Sequence, residues 1–453
     1  MPRDGIAEAP RRGGPAFGGG LEPLIQVAEQ AAVFRRVGHV RQVIGLAIES
    51  AGPLSRLGEV CLIERAGGAG PFPAEVVGFK DHNVVVLLPL GDMAGIEPGD
   101  PVRAAGRPLQ VGVGPGLLGR VVDAFGHALD GGAPVPAVER RSAAGEAPAP
   151  LSRARVTEPI ELGVRAIDGL LTCGKGQRLG IFSGSGVGKS VLLGMIARHT
   201  AADVNVIGLV GERGREVREF IERDLGDSLR RSVVVVATSE QPPLVRLTAA
   251  LTATTIAEYF RDQGMDVLLM MDSITRAATA QREAGLATGE APTTRGYTPS
   301  VFGMLPRLLE RAGTSERGSI TGLYAVLVEQ DDLNEPVADA VKAILDGHVV
   351  LSRGIASEGR YPAVDVLASV SRVMNDIVAP GHRAAAAKLR DVLAVYAEHE
   401  DMITIGAYEP GTNPRVDRAL ELIAPVRQYL AQDINEKVSF ADSVRQLEAV
   451  FAP

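Results

Sequence analysis

The sequence predicts an α/β protein in three folded parts: an N-terminal β-barrel, a central parallel-sheet domain and a C-terminal helical domain. Three observations carry this. Short β-rich runs alternate with Gly and Pro turns between about Val37 and Arg103, which is barrel grammar. From Ile181 short, doubly apolar strands alternate with helical stretches, the pattern of a parallel sheet covered on both faces. Beyond Pro380 the chain turns helix-rich. The expected divisions are 1–36, 37–104, 105–380 and 381–453.

Residues 1 to about 20 are rich in Gly, Pro and Arg and read as a disordered leader. Leu21, Leu24, Ile25, Ala28 and Ala32 then fall at helical spacing, predicting a short amphipathic helix. The barrel strands are expected at Val40–Ile48, Glu59–Glu64, Ala74–Phe79 and Asn83–Leu90. The Pro-, Ala- and Gly-rich stretch from Ala133 to Pro150 reads as a long surface connection. The sheet strands are expected at Ile181–Phe182, Val204–Val210, Val233–Ala237, Val267–Met271 and Tyr324–Val328. Helices are expected at Ala384–Ala397 and Pro414–Leu430.

The 453 residues exceed one hydrophobic core, and 45% apolar against 23% charged residues is the balance of an ordinary globular chain. A net charge of -8 gives no global attraction to nucleic acid or anionic lipid. Only Cys61 and Cys173 occur, with no metal-ligand spacing, so a disulfide framework or zinc site is not expected and both should be reduced and buried. No signal-peptide core or membrane-length apolar run is present. The expected location is cytoplasmic.

The chemistry is concentrated at Ser183-Gly184-Ser185-Gly186-Val187-Gly188-Lys189-Ser190, between a strand and a helix N-terminus, where anions bind. Glycines 184, 186 and 188 let backbone N–H groups turn inward around phosphate oxygens. Lys189 reaches the terminal phosphates, and the Ser190 hydroxyl is suited to ligating Mg²⁺. The strict pattern has Gly where this chain has Ser183, so a literal match fails at that position. With strand before and helix after, the reading is still a nucleoside triphosphate site, with ATP as the substrate, and residues 105–380 become an ATPase domain.

The strand Val267–Met271 runs into Asp272, and a carboxylate at a strand's C-terminal edge faces such a phosphate site and can hold Mg²⁺. Glu212 follows the strand Val204–Val210 at another such edge. Spacing alone leaves it equally a water-positioning base or a surface carboxylate paired with Arg213 or Arg215.

These motifs do not stand alone. Gly211-Glu212-Arg213-Gly214-Arg215-Glu216, the strand to Asp272, Gly296-Tyr297-Thr298-Pro299-Ser300-Val301-Phe302 and Tyr361-Pro362-Ala363-Val364-Asp365 together resemble the rotary ATP synthase superfamily. The segment from Gly289-Glu290 to Gly296, followed by Leu305 to Gly313, is similar to the ATPases of type III protein export, particularly the flagellum-specific one. The likeness runs from about residue 37 to the C-terminus. Its departures are Ser183, Thr298 where related chains tend to have Pro, and Gln330 where they tend to have Gly.

The resemblance implies a RecA-like P-loop domain between the barrel and the helical domain, and a homohexameric ring. It implies that Glu212 polarises the attacking water with Arg213 beside it, that Arg372 in Ser369-Val370-Ser371-Arg372-Val373 is an arginine finger reaching a neighbour's γ-phosphate, and that Tyr361 packs on adenine. It further implies a stator-like regulatory protein, a central stalk-like protein, export chaperones and a membrane export gate as partners, with peripheral attachment at the cytoplasmic face of the inner membrane. A synthase β-type subunit is a competing reading, but it takes its arginine from a partner, whereas this chain carries both Glu212 and Arg372. A non-catalytic subunit would lack Glu212. An RNA translocase would need a basic, aromatic-bearing RNA-binding domain, and Trp is absent; no nucleic-acid partner is expected.

Overall fold

A computed structural model describes residues 37–452 apart from 66–69, 81–82 and 329–331. The leader, its helix and Gln330 lie outside the described residues. Strands β1 (Val37–Ile44), β2 (Ala47–Ala51), β3 (Glu59–Glu64), β4 (Pro71–Lys80), β5 (Val84–Pro89) and β6 (Pro101–Pro108) close into a barrel in the order β1-β2-β5-β4-β3-β6. The run expected as one strand over Val40–Ile48 is two, because Gly45 takes a φ of 59° and turns β1 back onto β2. β6 carries the barrel four residues past the expected division at 104.

Side chains alternate across the barrel wall. Ile48, Cys61, Ile63, Phe72, Ala74 and Val76 fill its interior, whereas Val60, Val86 and Leu88 face outward against Leu244 and Leu247 of the helix Pro243–Asp262. β5 therefore buries every residue and shows no polar face. Both cysteines are free and buried.

The remaining strands are β7 (Gln110–Val113), β8 (Val121–Asp123), β9 (Glu139–Ser142), β10 (Arg178–Ser183), β11 (Val204–Glu212), β12 (Ser232–Thr238), β13 (Asp266–Asp272), β14 (Gly313–Thr314), β15 (Ser319–Leu327), β16 (Gly347–Leu351) and β17 (Val364–Ser371). The central sheet runs β17-β16-β10-β15-β13-β11-β12-β8, all pairs along this path parallel except β16 with β17. Along β13, Val267, Leu269 and Met271 enter one apolar layer and Leu268 and Met270 the other. Burial on both faces is why these strands read as continuous apolar runs.

The stretch 133–150, expected as surface connection, contains β9, which pairs antiparallel with β7. The helices Pro380–Thr404, Pro414–Leu430 and Phe440–Ala449 form the C-terminal part. Leu389, Val392, Val416, Tyr429 and Leu447 share an apolar layer with Leu192 and Ile196, so the helical part is welded to the central domain through a common core. Among the described residues no helix is long and apolar enough to cross a membrane.

Candidate active site

β10 delivers the chain to the loop, and the helix Lys189–His199 carries it away. Gly186 and Gly188 adopt φ values of 78° and 96°, a region that side-chain-bearing residues avoid. Gly188 is the helix N-cap, and no side chain caps it, so first-turn N–H groups stay available to an anion at the positive end of the helix dipole. Ser183 is the last residue of β10 rather than part of the loop. Its side chain is fully buried with no partner for the hydroxyl. The curvature begins at Gly184, which is why a small side chain replaces the first glycine of the strict pattern without disturbing the loop.

The Lys189 ammonium donates to Asp272 Oδ1. Both groups are nearly buried, with side chains 10% and 4% exposed. A lysine and a strand-end carboxylate in contact satisfy each other, and they mark the place where anionic phosphate and a cation would exchange with them. The donor set fits magnesium, since the Ser190 hydroxyl beside Lys189 and the Asp272 carboxylate are hard oxygen ligands of the kind Mg²⁺ takes alongside water and phosphate.

β11 pairs with β13 so that Leu209 lies opposite Asp272, and the chain continues to Glu212 at the same edge of the sheet. Glu212 is 8% exposed. Burial first, then the charge of Asp272, pushes its carboxyl up to about 7; its hydrogen bond with Glu216 acts in the same direction and holds Glu216 low. Arg276 Nε donates to Glu212 Oε1 at 3.3 Å from the helix Ile274–Ala287. A carboxyl that exchanges its proton near neutrality, beside the phosphate loop, is equipped to orient and deprotonate water.

Arg213 does not join this group. Its side chain is 76% exposed and pairs with Glu216 at 3.4 Å. Tyr361 does approach the loop: a Cβ at Gly188 would lie 3.6 Å from its ring. With Val191, Met195, Pro362 and Gln432, Tyr361 lines an apolar cleft of about 360 Å³ directly beside Gly188, sized for a base.

Arg372 lies at the other end of the sheet. β17 runs antiparallel to β16, so Val364 pairs with Leu351 and Ser371 with Gly347. Leu351 is level with Ser183, and the Arg372 N–H donates to the carbonyl of Asp346, whose own N–H donates to Arg178 at the start of β10. Ser183 is five residue steps along β10 from Arg178, roughly 16 Å. The Arg372 guanidinium is held by the Lys342 carbonyl at 3.2 Å.

Three contributors received no role from the sequence: Arg276, Glu216 and Gln432. Arg276 had a local cue, lying one helical turn beyond Asp272. Gln432 had none, because it comes from the C-terminal helical part.

A parallel sheet with a phosphate loop at one strand edge, and Asp272 and Glu212 at neighbouring edges, defines a P-loop ATPase. Comparison with known proteins specifies the family. Residues 163–371 match the nucleotide-binding domain of the ATP synthase alpha/beta family, and residues 378–449 match the C-terminal domain of the type III secretion EscN ATPase. The flagellum-specific ATP synthase of Bacillus subtilis is 54% identical over 95% of this chain and 98% of its own. The type 3 secretion system ATPase of Xanthomonas euvesicatoria is 50% identical over 92% and 95%. The solved structure of the assembled EscN ATPase of enteropathogenic E. coli superposes with a TM-score of 0.87 at 44% identity, covering 92% of this chain and all of that one. This chain belongs to the type III export ATPases of the ATP synthase alpha/beta family.

Proposed function

We propose that the chain hydrolyses ATP with Mg²⁺ to energise protein export through a flagellar type III apparatus, unfolding substrates and releasing them from chaperones. The proposed site uses Ser183 at the end of β10, the loop of residues 184–190 and Tyr361 to bind nucleotide, Ser190 and Asp272 to hold Mg²⁺, and Lys189 with Glu212 for the reaction. Bound Mg²⁺ would neutralise charge on the β- and γ-phosphates. Lys189 leaves Asp272 for the phosphate oxygens, and Glu212 orients water and accepts its proton. Arg213, the other residue proposed for the reaction, stands exposed beside this group and pairs with Glu216.

The observation that carries the reading is the sheet register. Tyr361 lies beside the chain's own phosphate loop, while Arg372 is roughly 16 Å away along the same sheet. A guanidinium there cannot serve its own site but suits a neighbour's, which favours a homohexameric ring with Arg372 acting in trans to stabilise γ-phosphate charge. EscN has been solved assembled and with its central stalk EscO, the latter at a TM-score of 0.84 and 43% identity, which supports a ring and a stalk-like partner here. A stator-like protein, chaperones, an export gate and a position at the cytoplasmic face of the inner membrane complete the proposal.

Expression in a bacterium lacking its flagellum-specific ATPase tests the assignment. Restored swimming supports flagellar export. Restored secretion in a strain lacking its secretion-system ATPase, without restored swimming, supports the virulence-type reading instead.

A further inference from the structure

The loop between the helices Pro414–Leu430 and Phe440–Ala449 belongs to the C-terminal helical part, yet Gln432, Asp433 and Ile434 line the cleft beside Gly188. Gln432 is 5% exposed, and its amide is committed at both ends. Its Oε1 accepts from the Arg165 backbone N–H at 2.8 Å, while its Nε2 donates to the carbonyls of Gly163 at 2.9 Å and Glu436 at 3.0 Å. Its backbone N–H donates to the carbonyl of Tyr361 at 2.9 Å. Gln432 thus ties together the segment Gly163–Arg165, its own loop and the backbone of the cleft's aromatic residue. With its donors and acceptor engaged, the amide has little left to read a base.

Arg165 reinforces the tie. Its guanidinium, in a residue 8% exposed, donates to the carbonyls of Tyr429 at 3.1 Å and Ala431, to Gln446 at 3.2 Å and to Glu436 Oε2 at 3.0 Å. Charge-assisted bonds of this kind hold a loop in one geometry more firmly than neutral ones.

We infer that Gln432, clamped by Gly163 and Arg165, is a positioning residue that sets Tyr361 at the base cleft, so that the C-terminal helical part tunes nucleotide affinity without touching the phosphates. This rests on reading the cleft as the base pocket.

Calorimetric titration of full-length Gln432→Ala with Mg²⁺–ADP and, separately, Mg²⁺–pyrophosphate tests it. ADP affinity is expected to fall about tenfold, while pyrophosphate, which has no base, changes less than about twofold. KM for ATP should rise by a similar factor with kcat within about twofold. Unchanged ADP affinity, or an equal loss for both ligands, overturns the inference. Tyr361→Ala separates the two claims. If it weakens ADP selectively and Gln432→Ala does not, positioning fails alone; if Tyr361→Ala also spares ADP, the base pocket fails with it. Should Gln432→Ala misfold, Gln432→Glu keeps the acceptor for Arg165, loses both donors, and carries the same comparison.

Discussion

Tyr361 and Arg372 bracket β17 and stand at opposite ends of the sheet, the first beside Gly188 and the second level with Arg178. One strand therefore presents an aromatic ring to its own nucleotide site and a cation to whatever lies against the opposite end.

Mixing two inactive proteins follows from that separation. Glu212→Gln and Arg372→Ala should each lose at least about a hundredfold in hydrolysis alone. Assembled together, some sites combine an intact Glu212 with an intact Arg372 from a neighbour, and activity should return. Mixed rings of confirmed assembly that stay inactive would overturn the trans role.

The Lys189–Asp272 pair predicts a stability effect distinct from catalysis. Lys189→Met leaves the Asp272 carboxylate buried without its partner, and removing one member of a buried pair costs about 3–5 kcal/mol. The double variant Lys189→Met with Asp272→Asn should recover most of that loss in denaturant melts while both remain inactive. A single variant as stable as the parent would show that the pair is not formed in the nucleotide-free protein.

Glu212 makes stability depend on pH in a definite direction. Its carboxyl sits near 7 in the folded chain against 4.5 when unfolded, so the unfolded chain loses that proton first. The contribution is greatest below 4.5 and is lost as pH rises through about 7, by no more than about 3 kcal/mol. Glu212→Gln cannot ionise. It should melt close to the parent at pH 4 and above it at pH 8. Glu75 and Asp168, also raised to about 7 by burial, are present in both proteins and cancel from the difference. Equal melting temperatures at pH 8 would remove the buried-acid account.

Arg276 steadies the charged form of Glu212 from 3.3 Å. Arg276→Ala should lower kcat by about tenfold, leave KM for ATP nearly unchanged, and move the acidic limb of the pH–rate profile upward. A loss of kcat with an unmoved limb would assign Arg276 a packing role against Gly211, whose added Cβ would come within 2.8 Å of Arg276 Cδ.

The sequence by itself determined what contiguous residues encode. The phosphate loop is legible because its glycines, lysine and serine perform their work through local backbone geometry, flanked by a strand and a helix. Asp272 and Glu212 are legible as carboxylates that end apolar strands, and the strands themselves because two-sided burial leaves no polar alternation. Spacing left Glu212 balanced against a surface ion pair; its 8% exposure and its bond to Arg276 are facts of the fold.

Tertiary structure decided everything that depends on register and on distant segments meeting. β8, β16 and β17 carry little local signal and take their places by pairing with neighbouring strands of the sheet. That pairing, not spacing, separates Tyr361 from Arg372. Gln432 reaches the cleft only because the C-terminal helices share the central domain's core, and Arg213, adjacent to Glu212 in sequence, points away because neighbouring residues leave a strand end in opposite directions.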